Sequence, residues 1–153
     1  MSFYGVTGKN PSKYCFHVQT LVPKQYTAST NGGNIDRLRN GGYGALSLVL
    51  LPGLWTDGTH AFTIQEADDS GSNTPGTYGT VAAADVMPSS EVGVYGTAST
   101  FVSITAATTT VQRIDYIGRK RWVRVISTES GVTTGAAYGV DGILAAPNIF
   151  PAA

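Results

Sequence analysis

The residues of this chain best suited to acid–base or metal chemistry are its two histidines, His17 and His60. Neither histidine stands at a metal-binding spacing from another histidine or from a cysteine. A catalytic base also needs a nucleophile and a partner that orients it. The sequence places no such set of residues together, so both histidines are interpreted as structural. We predict that the chain is not an enzyme.

Clustered carboxylates suggest two further kinds of chemistry. Glu66 and Asp68 lie two residues apart, so on a strand they share one face, as a glycosidase pair could. The DDSGSN stretch at 68–73 offers the oxygen ligands that calcium prefers. It lacks the spaced ligands and terminal glutamate of an EF-hand loop, and its composition is typical of a solvated turn. We therefore predict a surface acidic patch, with no metal and no cofactor.

The strongest concentration of charge is the GRKRWVR stretch at 118–124. Basic side chains beside an aromatic residue can hold nucleic acid through phosphate contacts and base stacking. The net charge of the chain is zero, however, which gives a nucleic-acid role no general support. A solvated turn and a contact with an acidic protein both explain the same residues. The three alternatives stay open, and nucleic acid is the least favoured.

Charge is unevenly distributed along the chain. Residues 1–39 carry five basic groups and one acid, residues 40–112 carry six acids and no Lys or Arg, and residues 113–153 carry five basic groups and three acids. Such a distribution is ordinary for sheet surfaces, but it also suits complementary charge between neighbouring subunits. The candidate residues for protein contacts are Tyr14, Phe16, Arg37, Arg39, Arg119, Lys120, Arg121 and Arg124.

Composition predicts an all-β protein. Charged residues make up 13% of the chain, against about 25% in an average domain. The 19 glycines and 19 threonines disfavour helices and favour turns and strands. The one cysteine, Cys15, excludes an internal disulfide and suits a reducing compartment. The start of the chain lacks the apolar core of a signal peptide, and the longest apolar run, near 46–54, is too short for a bilayer. We expect a soluble protein made in the cytoplasm, with no membrane partner.

Alternating patterns predict the individual strands. Tyr14, Phe16 and Val18 alternate with polar residues, and the apolar run at 45–51 indicates a buried central strand. Further strands are predicted at 60–68, 111–118, 119–127 and 137–144, with shorter ones near 78–82, 92–95 and 101–106 and one helical turn at 82–86. The short Gly-Arg-Lys connection at 118–120 predicts that the strands on either side form a β-hairpin.

Eight or so short strands without a long helix predict a two-sheet β-sandwich with a jelly-roll-like arrangement. We expect the sandwich body to span residues 43–146 and an extended tail to span 147–153. Residues 1–42 are polar, basic and irregular, and two interpretations remain open for them. They form either an extended arm that orders against a partner or an ordinary edge strand.

Several stretches of residues 43–147 resemble small virion proteins of tailed phages, the head decoration or cement proteins. These are LWTDGTHAFTIQEADDSG, VAAADV, RIDYIGRKRWVRVISTESGVTTGAAYGV and a short proline-containing tail. The resemblance implies a β-rich protein on the outer surface of the phage head, assembled in the host cytoplasm. Its implied partners are the major capsid protein and further copies of itself, as a trimer rather than a dimer.

Two other functions remain as alternatives. The first is a carbohydrate-binding or receptor-contacting virion module, in which Trp55, Tyr78 and Tyr95 form a stacking platform. The second is a head-completion or tail-tube component, which would assemble into rings. An enzyme is the least favoured function because no base and nucleophile are set up together.

Overall fold

The computed structural model of the chain describes residues 15–88 and 100–147. Its strands are β1 (Cys15–Tyr26), β2 (Thr30–Asn31), β3 (Ile35–Asp36), β4 (Tyr43–Trp55), β5 (Thr59–Ala67), β6 (Gly79–Thr80), β7 (Val86–Pro88), β8 (Thr100–Ile104), β9 (Gln112–Tyr116), β10 (Trp122–Ser130) and β11 (Ala136–Pro147). Two short 3-10 turns, Arg39–Gly41 and Ala83–Asp85, are the only helical segments in this part of the chain. The predicted helical turn at 82–86 is therefore confirmed, whereas the predicted strand near 92–95 lies outside the described residues.

The strands form two antiparallel sheets, and the predicted β-sandwich is confirmed. One sheet has five strands in the order β1-β11-β4-β9-β7. In the second sheet β10 pairs with β5, β2 and β3 pair with β10, and β6 and β8 pair with β5. Apart from the neighbours β2 and β3, and β5 and β6, consecutive strands alternate between the two sheets, and the first strand lies beside the last. This alternation is the connectivity of a jelly roll.

The core lies between the two sheets and follows from strand alternation. Leu46, Leu48 and Leu50 of β4 are at most 1% exposed, and they share one core cluster with Val123 and Val125 of β10. β4 pairs with β11 on one side and β9 on the other, so the predicted central strand is confirmed. The intervening residues of β4 are not fully buried, because only one face of this sheet packs against the other.

The predicted β-hairpin at 111–127 is wrong. β9 pairs with β4 in the five-stranded sheet, whereas β10 pairs with β5 in the other sheet. The short connection at 118–120 therefore crosses between the sheets instead of joining two neighbours. Alternation of apolar residues predicts each strand correctly but contains no information about which strand lies beside it.

Residues 15–42 belong to the sandwich. β1 pairs with β11 from Cys15 to Tyr26 and forms one edge of the five-stranded sheet, while β3 pairs with β10 in the other sheet. The edge-strand interpretation therefore describes this part of the chain, and residue 42 is not a boundary between an arm and a body. Residues 1–14, including Tyr14, and the tail at 148–153 lie outside the described residues. None of the described helical segments is long and apolar enough to cross a membrane.

Candidate functional site

The basic stretch at 118–124 binds acidic residues of its own chain. Arg121 donates from Nε and Nη2 to the two carboxylate oxygens of Asp36, at 2.8 and 2.9 Å. Its Nη1 donates to Asp69 at 2.6 Å and to Asn73 at 2.9 Å. The hydrogen bond from Arg121 holds the pKa of Asp36 below its usual range. Lys120 pairs with Asp68. We call Asp36, Asp68, Asp69, Lys120 and Arg121 the ionic cluster.

The ionic cluster shows where part of the uneven charge is paired. Its ion pairs join Lys120 and Arg121, in the turn before β10, to acids of the middle and early parts of the same chain. These charges therefore have partners within one chain. The carboxylates of Asp68 and Asp69 are engaged by these cations, and Asp69 also accepts the Thr74 amide at 3.2 Å. Within residues 15–88 and 100–147, no group of three or more His, Cys, Asp or Glu residues is placed to hold a metal ion.

Two other predicted contact residues also have partners within the chain. Arg37 donates from Nη1 to the carbonyls of Gly118 and Lys120 at 2.7 and 2.9 Å, which fixes the connection between the sheets. Arg124 donates to Gln65 at 2.8 Å, and its guanidinium carbon lies 3.9 Å from the centre of the Tyr78 ring.

Arg39 and Phe16 form a separate contact, in which the guanidinium carbon lies 4.3 Å from the ring centre. Arg119 is exposed and, within the described ranges, forms no ion pair. The structure thus brings Arg37, Lys120, Arg121 and Arg124 to one end of the sandwich. Arg119, in the same turn as Lys120 and Arg121, is exposed to solvent.

A buried polar cluster of His60, Ser127, Glu129 and Tyr138 was not predicted. His60 is fully buried, and its Nδ1 pairs with Glu129, whose side chain is 4% exposed. Tyr138, on the opposite sheet, donates its hydroxyl to Glu129 at 2.5 Å and lies 2.5 Å from the Ser127 hydroxyl oxygen. Burial, followed by the hydrogen bond to Glu129, raises the pKa of Tyr138. Because its members come from β5, β10 and β11, the cluster joins the two sheets.

Two turns of the chain, which precede β5 and β11, hold each other in place. Asp57, from the WTDGT turn, accepts the amides of Thr134 and Gly135 at 2.9 and 2.7 Å. These bonds lower the pKa of Asp57, with the Gly135 amide contributing most. Gly135 has a φ of 88°, and a Cβ added there would lie 1.9 Å from the Tyr26 carbonyl oxygen. The motif residues are therefore structural: they lock the turn before β5 against the turn before β11.

An apolar recess lies on the outer face of the five-stranded sheet. It has a volume of about 480 Å³, and its apolar lining includes Ala45, Met87, Ile117, Ile143 and Ala145. We call this recess the outer groove. Met87 and Ile117 are 55% and 51% exposed, which is high for large apolar side chains. Large exposed apolar surfaces on soluble proteins mark sites of interaction.

The polar residues of the outer groove satisfy one another. Arg113 donates from Nε to the Ser47 hydroxyl at 2.8 Å and from Nη2 to Asp115 at 3.0 Å. Ser47 in turn donates to Asp115. A partner that covers the groove would therefore bury no unpaired charge from these three residues, which lowers the cost of covering it.

Further exposed apolar side chains lie on either side of the outer groove. Leu38, which is 55% exposed, lines an adjacent cleft of about 400 Å³ that shares Gly44 and Ile117 with the groove. At the far end of β4, Leu54 is 76% exposed. Sequence reasoning missed this face because the apolar run of β4 was taken to be buried on both sides.

The aromatic residues proposed for a carbohydrate platform are not brought together. Trp55 packs against the core and donates Nε1 to the Gly58 carbonyl at 3.0 Å. Tyr78 lies against Arg124 and donates its hydroxyl to Asn34 at 2.8 Å. Trp55 ends β4 of one sheet, whereas Tyr78 precedes β6 of the other. Tyr95 lies outside the described residues.

Comparison with known protein families and curated proteins identifies no relative of the chain. No protein-family model matches the chain, and no curated protein matches its sequence. The resemblance to phage decoration proteins therefore stays a prediction that rests on the sequence motifs.

Proposed function

We propose that the chain is a structural, non-catalytic protein that docks on other protein surfaces. Its specific role in this proposal is that of a head decoration or cement protein, which binds the shell of the major capsid protein of a tailed phage and stabilises it. The observation that carries the proposal is the outer groove, an exposed apolar recess on the outer face of the five-stranded sheet. The location implied is the outer surface of the phage head.

The groove supports docking better than the basic stretch at 118–124 does. Exposed Met87 and Ile117 gain free energy when a partner removes them from water. Lys120 and Arg121, by contrast, would have to exchange partners that they already hold within the chain. The docking surface in the proposal is therefore apolar in its centre, with Arg119 at its polar margin.

A capsid shell is a target that such a surface suits. Each groove is small, but a shell repeats its binding positions by symmetry, so many weak contacts add to a large stabilisation. The phage assignment itself comes from the motif resemblance over residues 43–147. The fold agrees with it in being a β-sandwich whose motif turns are structural.

Binding to heads of the encoding phage tests the proposal. Purified chain is mixed with expanded and unexpanded heads, and the bound fraction is measured after sedimentation of the particles. We expect saturable binding to expanded heads and greater resistance of those heads to heat. A chain that does not bind heads in either state would overturn the proposal.

Two matched variants test whether the outer groove is the docking surface. Met87→Asp puts a charge in the outer groove and is expected to weaken head binding by about tenfold or more. Val102→Asp changes an apolar residue that is 37% exposed on the other sheet, and it should bind like the wild type. Equal binding by both variants would move the docking surface away from the groove.

The alternative functions have weaker support. A carbohydrate-binding module needs a stacking platform, and the contacts of Trp55 and Tyr78 engage both residues at different places in the fold. A glycan array checks this directly. A tail-tube or head-completion protein would assemble into rings, which electron microscopy of the purified chain detects.

A further inference from the structure

We propose that the folded chain holds His60 as a doubly protonated imidazolium, and that this buried proton makes the stability of the fold depend on pH near neutrality. The groups involved are the buried polar cluster and the backbone carbonyl of Asp57. The inference concerns the fold itself and does not depend on binding to a phage head.

Both ring nitrogens of His60 face hydrogen-bond acceptors. Nε2 lies 3.1 Å from the backbone carbonyl oxygen of Asp57, which can only accept a hydrogen bond. Nδ1 faces Oε2 of Glu129, and neither of these two atoms has another hydrogen-bond partner among the described residues. A neutral imidazole carries one N–H and would leave one of its nitrogens without a proton to donate. Both contacts are satisfied when both nitrogens are protonated.

Glu129 is the anion of this arrangement. Its other oxygen, Oε1, accepts the hydroxyl of Tyr138 at 2.5 Å and also the hydroxyl of Ser127. Hydrogen bonds donated to a carboxylate favour its charged form. The proton between the two side chains therefore resides on the ring of His60. The result is an ion pair in which His60 is fully buried and the Glu129 side chain is 4% exposed.

The other titratable groups around His60 are either anionic or neutral. The carboxylate of Asp57 is a second negative charge, in the turn before β5. Tyr138 of β11 lies edge-to-face with the His60 ring, and burial raises the pKa of its hydroxyl. Tyr26 of β1 stacks on Tyr138 and has the ammonium of Lys24 over its ring. β8, which pairs with β5 at His60, contains no titratable residue.

The proton of His60 links two strands and a turn. The charged ring holds Glu129 of β10 through Nδ1 and the turn before β5 through Nε2, and Glu129 in turn holds Tyr138 of β11. Loss of the proton removes one of the two N–H donors. An unfolded chain releases a histidine proton above about pH 6.5, whereas the folded chain keeps this one. The contribution of the ion pair to stability is therefore complete below that pH and is lost as pH rises.

Nuclear magnetic resonance of the ring nitrogens tests the protonation state. His17→Gln removes the other histidine of the chain and changes a side chain that is 58% exposed, so every histidine signal then comes from His60. At pH 8 an ordinary histidine is mostly neutral. We expect the nitrogen-15 shifts of His60 to be those of two protonated nitrogens. A neutral ring at pH 8 overturns the inference, whichever nitrogen carries the remaining proton.

Urea unfolding at pH 6 and pH 8 tests the link to stability. For the His17→Gln parent we expect the equilibrium constant for unfolding to rise by up to about tenfold per pH unit above pH 7. His60→Gln in the same background keeps a hydrogen-bond donor but cannot hold the proton. It should be less stable than the parent at pH 6 and should change little between the two pH values. An equal change in the parent and in His60→Gln overturns the inference.

Glu129→Gln in the same background covers the case in which His60→Gln does not fold. The amide keeps the shape of the carboxylate without its charge, so the His60 ring is expected to be neutral at pH 8 in this variant and charged in the parent. A charged ring in both overturns the assignment of the ion pair. Where neither variant folds, the spectrum of the parent alone decides the inference.

Discussion

The buried polar cluster and the ionic cluster are both networks of charged and hydroxyl groups, but they differ in solvent access. His60 is fully buried and the Glu129 side chain is 4% exposed, whereas Lys120 and Asp68 are 41% and 72% exposed. Water can replace a lost partner in the second network and cannot do so in the first. The comparison therefore predicts that the location of a polar network, rather than its number of ion pairs, decides how much it stabilises the fold.

The largest expected effect comes from removing the acceptor at the centre of the buried polar cluster. Glu129→Ala leaves His60, Ser127 and Tyr138 without their shared partner in a buried site. We expect a loss of about 3–5 kcal/mol in the free energy of unfolding, measured by urea denaturation. A loss below about 1 kcal/mol would show that water enters the cluster, and the contrast between the two networks would fail.

A smaller effect is expected at alkaline pH from the raised tyrosine pKa values. The pKa values of Tyr116 and Tyr138 lie above the ordinary value of 10.0 because burial disfavours the phenolate. The unfolded chain loses these protons near pH 10 while the folded chain keeps them, so stability falls as pH rises above 10. Urea midpoints at pH 9 and pH 11 measure the fall. Tyr138→Phe should be less stable at pH 9 and should lose less stability between the two values; an identical fall in the variant would assign the effect elsewhere.

Removing the central cation of the ionic cluster should cost less than Glu129→Ala. Arg121→Ala removes the bonds to Asp36 and Asp69, but both acids retain access to water. Because the pKa of Asp36 is lowered by Arg121, the difference between variant and wild type is fully present above the ordinary value of 3.8 and shrinks as pH falls below it towards the lowered pKa. Unfolding curves at pH 7 and pH 3, each recorded with and without added salt, measure this difference. A difference as large at pH 3 as at pH 7 would contradict the ionic origin.

The smallest effect is expected at Arg119, beside the same cluster. Arg119→Glu alters an exposed residue without an ion pair in the described chain, so the free energy of unfolding should change by less than about 0.5 kcal/mol. Reversal of Arg119 together with Lys120 and Arg121 should instead destabilise the fold, because two of the three are partnered internally. Equal stability of the single and triple variants would show that the cluster contributes nothing.

Part of the buried polar cluster could have been predicted from the strand pattern. Along the strand predicted at 119–127, alternation puts Val123 and Val125 on one face, and continued alternation puts Ser127 and Glu129 on that same face. A serine and a glutamate continuing a core face are a signal for buried polar partners. The identity of those partners could not be predicted, because His60 and Tyr138 come from strands that only the sheet pairing brings opposite.

The candidate site was less predictable than the fold. Six of the eight residues predicted for protein contact are basic, and all of these except Arg119 contact other residues of the described chain. The outer groove combines Ala45, Met87, Ile117 and Ala145 from separate parts of the sequence, with no shared motif. Apolar composition alone does not reveal whether such residues face a core or solvent.

The sequence by itself determined the all-β class, most of the longer strands and the central position of β4. These depend on alternation and on local backbone preference, which act over a few residues. Only the tertiary structure decided that β9 and β10 lie in different sheets, that the cations near Arg121 are internally paired, and that one apolar face is left uncovered. Those outcomes depend on contacts between residues far apart in the chain. A local sequence pattern does not determine which distant residues come into contact.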